Sequence, residues 1–175
     1  VVGYVRFWFD TTCGHTDASP SVRQSTSAEE LPLLVRCPQD MMEVFTDPRT
    51  SYRENLGRFI QFKRCSTGEK AVVLEVGVWK GDFADELVTR YHNSIKEYVM
   101  IEPAQKIVGS LTLELQRRLE DFPARYPEIS FRWINERSSD AAELFDDEYF
   151  DWIYIDGLHT YEGVKSDVAL FWRKL

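Results

Sequence analysis

The sequence predicts an α/β domain built on a doubly wound parallel sheet, and three features support this prediction. Four short runs of apolar and β-branched residues alternate with stretches whose apolar residues recur at helical spacing. The most apolar run, Ala71–Val76, contains a single acid, as expected of a central strand buried on both faces. Gly77 and Gly81 follow it at the turn into the next helical stretch. Strands and helices that alternate in this way form a parallel sheet with helices on both faces.

The elements can be placed in order along the chain. Helices are predicted at residues 38–45 and 52–64, with Asp47-Pro48 as the break between them. Pro123 marks the end of a long amphipathic helix. The predicted strands cover residues 71–76, 98–101, 129–134 and 150–155, and the remaining predicted helices cover residues 82–92, 105–122, 140–145 and 161–175.

One domain accounts for most of the chain, because 175 residues is an ordinary size for a single domain. Residues 11–30 are rich in Ser, Thr, Asp and Gly and contain almost no large apolar residue, which is typical of a flexible connection. We therefore predict an N-terminal segment and linker at residues 1–30 and a folded domain at residues 31–175. The apolar run at residues 1–9 is expected to form a packed strand or helix.

Charge and composition exclude several kinds of partner. Lys and Arg number 21 against 29 Asp and Glu, so the net charge is −8, and nucleic acid is not an expected partner. No stretch approaches the roughly 20 consecutive apolar residues of a membrane span. Cys13, Cys37 and Cys65 are odd in number and widely spaced, which favours reduced thiols in a cytoplasmic protein.

Candidate ligand-binding residues follow the predicted strands, because parallel sheets bind ligands at the carboxyl ends of their strands. Gly77 and Gly81 allow the backbone after the first strand to approach a ligand closely. Glu102 ends the second strand, where an acid can bind both hydroxyls of a ribose. Together they predict a dinucleotide or another adenosine-containing cofactor. Trp79 stands where the dinucleotide fingerprint has its second glycine, which disfavours a dinucleotide-dependent oxidoreductase.

Two segments carry a resemblance to a known family. The run Glu75-Val76-Gly77-Val78-Trp79-Lys80-Gly81 resembles the first motif of class I S-adenosylmethionine-dependent methyltransferases. Residues 151–167, which contain Asp-Gly-x-His-x-Tyr-Glu-Gly-Val, resemble the fourth-strand segment of the macrocin-type O-methyltransferases. The resemblance covers residues 71–175 and implies a Rossmann-like methyltransferase fold.

The resemblance assigns a role to each matching position around the cofactor. S-adenosylmethionine is the implied cofactor, and Trp79 would form part of an apolar wall around it. Ser139 and Asp140 would lie beside the adenine, although both residue types are equally suited to capping the short helix that follows. The implied cofactor-binding residues are Glu75, Gly77, Trp79, Gly81, Glu102, Ser139 and Asp140.

The same resemblance places the chemistry after the fourth predicted strand. Asp156 matches the first metal-binding carboxylate of the metal-dependent members, which implies Mg²⁺ as a second cofactor. His159 matches a proposed catalytic base, with an ordinary loop histidine as the alternative. The family's sheet continues with three further strands that supply additional carboxylates, whereas this sequence ends at Leu175. We therefore expect a domain truncated after its fourth strand and the helix that follows.

The leading hypothesis is an S-adenosylmethionine-dependent methyltransferase that acts on an oxygen of a small molecule. The alternative is a non-catalytic module of the same fold, kept for cofactor binding or protein association. A truncated sheet would leave the edge of the fourth predicted strand bare, unless another segment or a second copy of the chain covered it. A homo-oligomer is therefore a further expectation.

Overall fold

The computed structural model describes residues 2–5, 52–103 and 110–175 of the chain. The strands are β1 (Val2–Val5), β2 (Ala71–Val76), β3 (Ile95–Ile101), β4 (Ser130–Ile134) and β5 (Trp152–Ile155). The helices are α1 (Tyr52–Thr67), α2 (Asp82–Tyr91), α3 (Ser110–Arg125), α4 (Ser138–Ala141) and α5 (Tyr161–Phe171). In the described residues the strands form one sheet in the order β1-β5-β2-β3-β4, in which β2 to β5 run parallel and β1 antiparallel.

The four parallel strands confirm the predicted α/β class, and the start of β3 differs from its predicted position. β3 begins at Ile95 and not at residue 98. Ile95 is fully buried and pairs with Ala71, although two polar residues, Lys96 and Glu97, separate it from the apolar part of the strand. β3 therefore includes Lys96 and Glu97, because the buried Ile95 pairs with β2 beyond them. The sequence pattern had left these two polar residues out of the strand.

Helix boundaries differ at two places. Pro123 lies inside α3, which continues to Arg125, whereas the sequence predicted that it would end the helix. The neighbouring Phe122 is fully buried against the sheet, and this packing holds the last turn although proline removes one backbone hydrogen bond. The short helix predicted at residues 140–145 is α4 followed by a 3₁₀ turn, Ala142–Leu144. The predicted helix at residues 38–45 and the linker at residues 11–30 lie outside the described residues.

Each face of the sheet is covered by its own helices, because side chains alternate along every strand. On one face Val73 and Tyr98 pack against α1, α2 and α3. On the other face Leu74 and Val99 pack in a cluster that includes Ala141 of α4 and Phe171 of α5. Every residue of β5 is buried, as expected of a strand inside the sheet.

The N-terminal strand covers the edge that the sequence left bare. Val2 pairs with Ile155 and Val5 with Trp152, so β1 lies antiparallel along β5. The expectation of a bare edge is therefore corrected: an apolar run at the start of the chain satisfies the open backbone groups of β5. The homo-oligomer stays a prediction that a bare β5 edge no longer supports, and part of the segment assigned to residues 1–30 lies in the domain's own sheet. The predicted boundary after residue 30 falls outside the described residues.

Cys65, near the end of α1, is disulfide-bonded. This corrects the expectation of reduced thiols, and Cys13 and Cys37 lie outside the described residues. Disulfides persist mainly in oxidising compartments, so cysteine usage no longer supports the cytoplasmic expectation. Among the helices that the structure describes, none is both long and apolar enough to cross a membrane.

A buried carboxylate lies in the middle of the sheet. Glu75 of β2 is 1% exposed, and the fully buried Tyr98 donates its hydroxyl to Glu75 Oε2 at 2.8 Å. The pKa of Tyr98 is raised well above 10.0, mainly because the side chain is buried and secondly because the charge of Glu75 lies nearby. Tyr98 therefore keeps its proton and remains a donor to Glu75.

We predict that Tyr98→Phe lowers the free energy of unfolding by about 1 to 3 kcal/mol, because the buried Glu75 loses a donor. A pKa raised in the folded state gives stability that is present below about pH 10 and lost as the pH rises further. The variant should therefore lose less stability than the wild type when the pH is raised past 10. Urea unfolding at neutral and alkaline pH measures both effects.

Tyr126→Phe is the matched control, because the Tyr126 hydroxyl donates to Thr89 at a partly buried position without a carboxylate partner. Tyr126→Phe should lower the free energy of unfolding by less than Tyr98→Phe does. Its stability should still fall, as that of the wild type does, when the pH is raised past 10. Equal losses of unfolding free energy in Tyr98→Phe and Tyr126→Phe would contradict a special role for the Tyr98–Glu75 hydrogen bond.

Candidate functional site

A cleft of about 780 Å³ opens at the carboxyl ends of the parallel strands. Its walls come from the turn between β2 and α2, the end of β3, and the segments that follow β4 and β5. Of the residues predicted for the site, Glu75, Gly77, Trp79, Glu102, Ser139, Asp156 and His159 line this cleft. The structure therefore brings together residues that are as far apart in sequence as Glu75 and His159.

The turn after β2 passes very close to the end of β5. Gly77 has φ +85°, and a Cβ at this position would lie 2.4 Å from the carbonyl oxygen of Asp156. The Gly77 N–H donates to the Ile101 carbonyl at 2.9 Å, and the Asp156 N–H donates to the Val76 carbonyl at 2.8 Å. Glycine is required here both by the left-handed backbone and by the lack of space.

The carboxylate of Glu102 holds the same turn from the end of β3. Glu102 Oε2 accepts hydrogen bonds from the backbone N–H groups of Val78 at 2.8 Å and Trp79 at 2.9 Å. Trp79 adopts φ +53°, which is uncommon for a bulky residue, and its side chain is exposed at the cleft. Two amides that converge on one oxygen explain why Trp79 is held in this conformation. The sequence predicted that Glu102 lies at this place but not that it binds the turn.

Two predicted residues do not line the cleft. Gly81 precedes α2 with φ +79°, and a Cβ there would contact Leu115 and Arg118 of α3 at 3.4 Å. Gly81 therefore shapes the turn and its packing. Asp140 lies in α4 with an exposed side chain, and the Ser139 hydroxyl donates to it at 3.3 Å. Neither geometry gives direct access to a ligand in the cleft.

Asp156 and His159 form a close pair at the end of β5. His159 Nε2 lies 2.7 Å from Asp156 Oδ1, and the side chains are 70% and 26% exposed, respectively. Because an ionised carboxylate can only accept, the imidazole donates through Nε2, and in a neutral imidazole Nδ1 is then the nitrogen that accepts. Phe83 stacks on Tyr154 at a ring-centroid distance of 4.1 Å and also lines the cleft.

No group of three or more His, Cys, Asp or Glu side chains that could hold a metal ion occurs within the part of the chain that the structure describes. Asp156 already has His159 at hydrogen-bonding distance. Mg²⁺ prefers a cage of six oxygen ligands, including carboxylates and water. The described residues around Asp156 therefore do not fit the magnesium site that the resemblance implied.

Asp167 lies on α5 and lines the cleft, although the sequence did not predict it. Asp167 is 6% exposed, and the Ser138 hydroxyl donates to its Oδ1 at 2.5 Å. One sequence signal could have identified it. Phe171, one helical turn further on, is buried, so position 167 falls on the buried stripe of an amphipathic helix, where an acid needs a partner.

The charge of the cleft is mainly negative. Its acidic lining residues are Glu75, Asp82, Glu102, Asp156 and Asp167, and its basic lining residues are Lys80 and Arg137. Carboxylates that converge on a partly closed cleft favour a ligand that carries positive charge.

Comparisons with known proteins assign the family. Residues 74–175, more than half of the chain, match a family described as "Methyltransferase domain". No curated protein matches the chain. Among solved structures, a co-crystal structure of WbdD with a kinase inhibitor matches with 16% identity and a TM-score of 0.44, over 66% of this chain and 25% of that chain. A second structure of WbdD matches with 18% identity and a TM-score of 0.41, over 63% of this chain and 23% of that one.

The chain thus spans about a quarter of the WbdD chains that it resembles. The macrocin-type group within the family stays a prediction. The described fold, a parallel sheet with helices on both faces and a cleft at the carboxyl ends of its strands, agrees with the family match. The chain belongs to the methyltransferase domain family.

Proposed function

We propose that the protein binds S-adenosylmethionine in the cleft and transfers its methyl group to an oxygen of a small molecule. One observation carries the proposal: the turn held by Glu102 and the Asp156–His159 pair line the same cleft. The first feature is suited to a nucleoside and the second to proton removal. A methyltransferase that acts on a hydroxyl needs both within reach of one ligand.

The cofactor would lie along the glycine turn. Glu102 Oε2 accepts from the turn, and a carboxylate has acceptor capacity left on its second oxygen for a ribose hydroxyl. Gly77 keeps the backbone free of a side chain where the cofactor would approach. The sulfonium and ammonium groups of S-adenosylmethionine carry positive charge, which the acidic lining of the cleft favours.

His159 would act as the base. Methyl transfer is an in-line displacement in which the acceptor oxygen forms a bond to carbon as the carbon–sulfur bond breaks, so the protein aligns the reactants. The acceptor hydroxyl proton would pass to Nδ1 of His159, and the electron pair of the broken bond would stay on sulfur. Asp156 would orient the imidazole through Nε2 and stabilise the imidazolium that forms. No step is assigned to Mg²⁺, because the described residues do not fit it.

We predict that Glu102→Ala weakens binding of S-adenosylhomocysteine at least about tenfold. The variant would lose both a charge-assisted bond to the ribose and the two bonds that hold the turn. Isothermal titration measures the affinity, and circular dichroism checks the fold.

The matched control is Glu120→Ala, which removes an exposed acid on α3 that does not line the cleft, and it should bind like the wild type. An unchanged affinity in Glu102→Ala would remove Glu102 from the site. A wild-type protein that does not bind S-adenosylhomocysteine would contradict the proposed cofactor.

We predict that His159→Ala slows methyl transfer by about 10²- to 10⁴-fold while the affinity for S-adenosylhomocysteine stays close to that of the wild type. Release of S-adenosylhomocysteine with phenol and sugar acceptors measures the rate.

His92→Ala is the matched control, because His92 pairs with Glu128 at 2.8 Å and does not line the cleft. It should keep the wild-type rate. Equal rates in His159→Ala and the wild type would return His159 to the status of an ordinary loop residue. Cofactor binding without turnover on any acceptor would favour the alternative, a non-catalytic binding module.

A further inference from the structure

The cleft contains a buried carboxylate that the proposed reaction does not use. Asp167 projects from α5, is 6% exposed and lines the cleft. It lies where the segments after β4 and β5 come together. Ser138 begins α4, directly after the loop that follows β4, and a Cβ on Gly157 would lie 3.1 Å from Asp167 Oδ2.

The hydrogen bonding of Asp167 is incomplete. Ser138 Oγ donates to Oδ1 at 2.5 Å, and this is the one hydrogen bond that the carboxylate accepts from the described residues. A carboxylate accepts several hydrogen bonds, and a buried one is costly when few donors reach it. Because Asp167 lines the cleft, a bound ligand can supply a further donor.

The position of Asp167 indicates which part of the cofactor it would meet. Its partner Ser138 precedes Ser139, and both line the cleft on the side of α4. The turn held by Glu102, where the ribose would bind, lies between β2 and α2. Asp156 and His159, at the end of β5, would bind the reacting end. The nucleobase is the part of the cofactor left for the side of α4.

Asp140 is the alternative acid for this role, and its geometry argues against it. Its side chain is exposed and does not line the cleft. Its Oδ1 accepts a hydrogen bond from the hydroxyl of its neighbour Ser139 at 3.3 Å. Asp167 is the more buried of the two acids and the one that reaches the cleft.

We propose that Asp167, and not Asp140, recognises the nucleobase of the bound cofactor. Oδ1 holds Ser138 in place, and Oδ2 accepts a hydrogen bond from the exocyclic amino group of adenine. This inference rests on the proposed function, because it requires S-adenosylmethionine as the cofactor. It gives the site a preference for a base that carries an amino group over one that carries a carbonyl oxygen, which a carboxylate would repel.

S-inosylhomocysteine tests the preference, because its base carries a carbonyl oxygen at C6 and a proton on N1, whereas the adenine of S-adenosylhomocysteine carries an amino group at C6 and no proton on N1. The wild-type protein should bind S-adenosylhomocysteine at least about tenfold more tightly. Asp167→Asn should lose most of this preference, because an amide can donate to the carbonyl oxygen as well as accept from an amine. Asp140→Asn is the matched control and should keep the wild-type ratio. Isothermal titration of the three proteins gives the affinities.

A ratio of affinities separates recognition from a purely structural role, since loosening of the site weakens both ligands together. Equal wild-type affinities for the two ligands would overturn the assignment and leave the proposed function intact, and this outcome needs no variant. Loss of the preference in Asp140→Asn with retention in Asp167→Asn would also overturn it. Failure of the wild-type protein to bind either ligand would instead contradict the proposed function.

Discussion

The site depends on one interaction, in which the carboxylate of Glu102 accepts the backbone N–H groups of Val78 and Trp79. This contact joins the end of β3 to the turn after β2 and holds Trp79 in a left-handed conformation that a free chain disfavours. Gly77 makes the same turn fit against the end of β5, because no side chain could occupy the space beside the Asp156 carbonyl. Ends of three neighbouring strands are thereby locked together, and the cleft lies above them.

Buried acids in and under this cleft each have a protein donor, which allows the domain to hold negative charge where a cationic ligand would bind. Tyr98 donates to Glu75 within the sheet, and Ser138 donates to Asp167 between two helices. Each bond offsets part of the cost of removing a carboxylate from water. Asp156 differs because it is partly exposed and its carboxylate lies 2.7 Å from the exposed His159. The acids that have a protein donor are thus buried, whereas the Asp156–His159 pair is open to the cleft.

The sequence predicted what depends on local pattern and missed what depends on distant contacts. The apolar run of β2 and the acid at the end of β3 lie where the pattern placed them, because strand ends in a parallel sheet share one edge. The pairing of β1 with β5 joins residues at opposite ends of the chain, and no local signal specifies it. The helical spacing of Asp167 and Phe171 marks Asp167 as an acid on the apolar stripe of α5, but its bond to Ser138 joins two distant segments and has no local signal. The disulfide at Cys65 also depends on tertiary proximity and not on cysteine spacing.

We expect the Glu102 carboxylate to hold the turn after β2 in the free protein. Amide hydrogen exchange at Val78 and Trp79, measured by NMR on the free wild-type protein and on Glu102→Ala, tests it most directly. Both amides should be protected in the wild type and exchange at least about tenfold faster in the variant, because each loses a charge-assisted hydrogen bond. The amide of the fully buried Leu74 should exchange equally slowly in both proteins. Equal exchange of Val78 and Trp79 in the two proteins would show that Glu102 does not hold the turn.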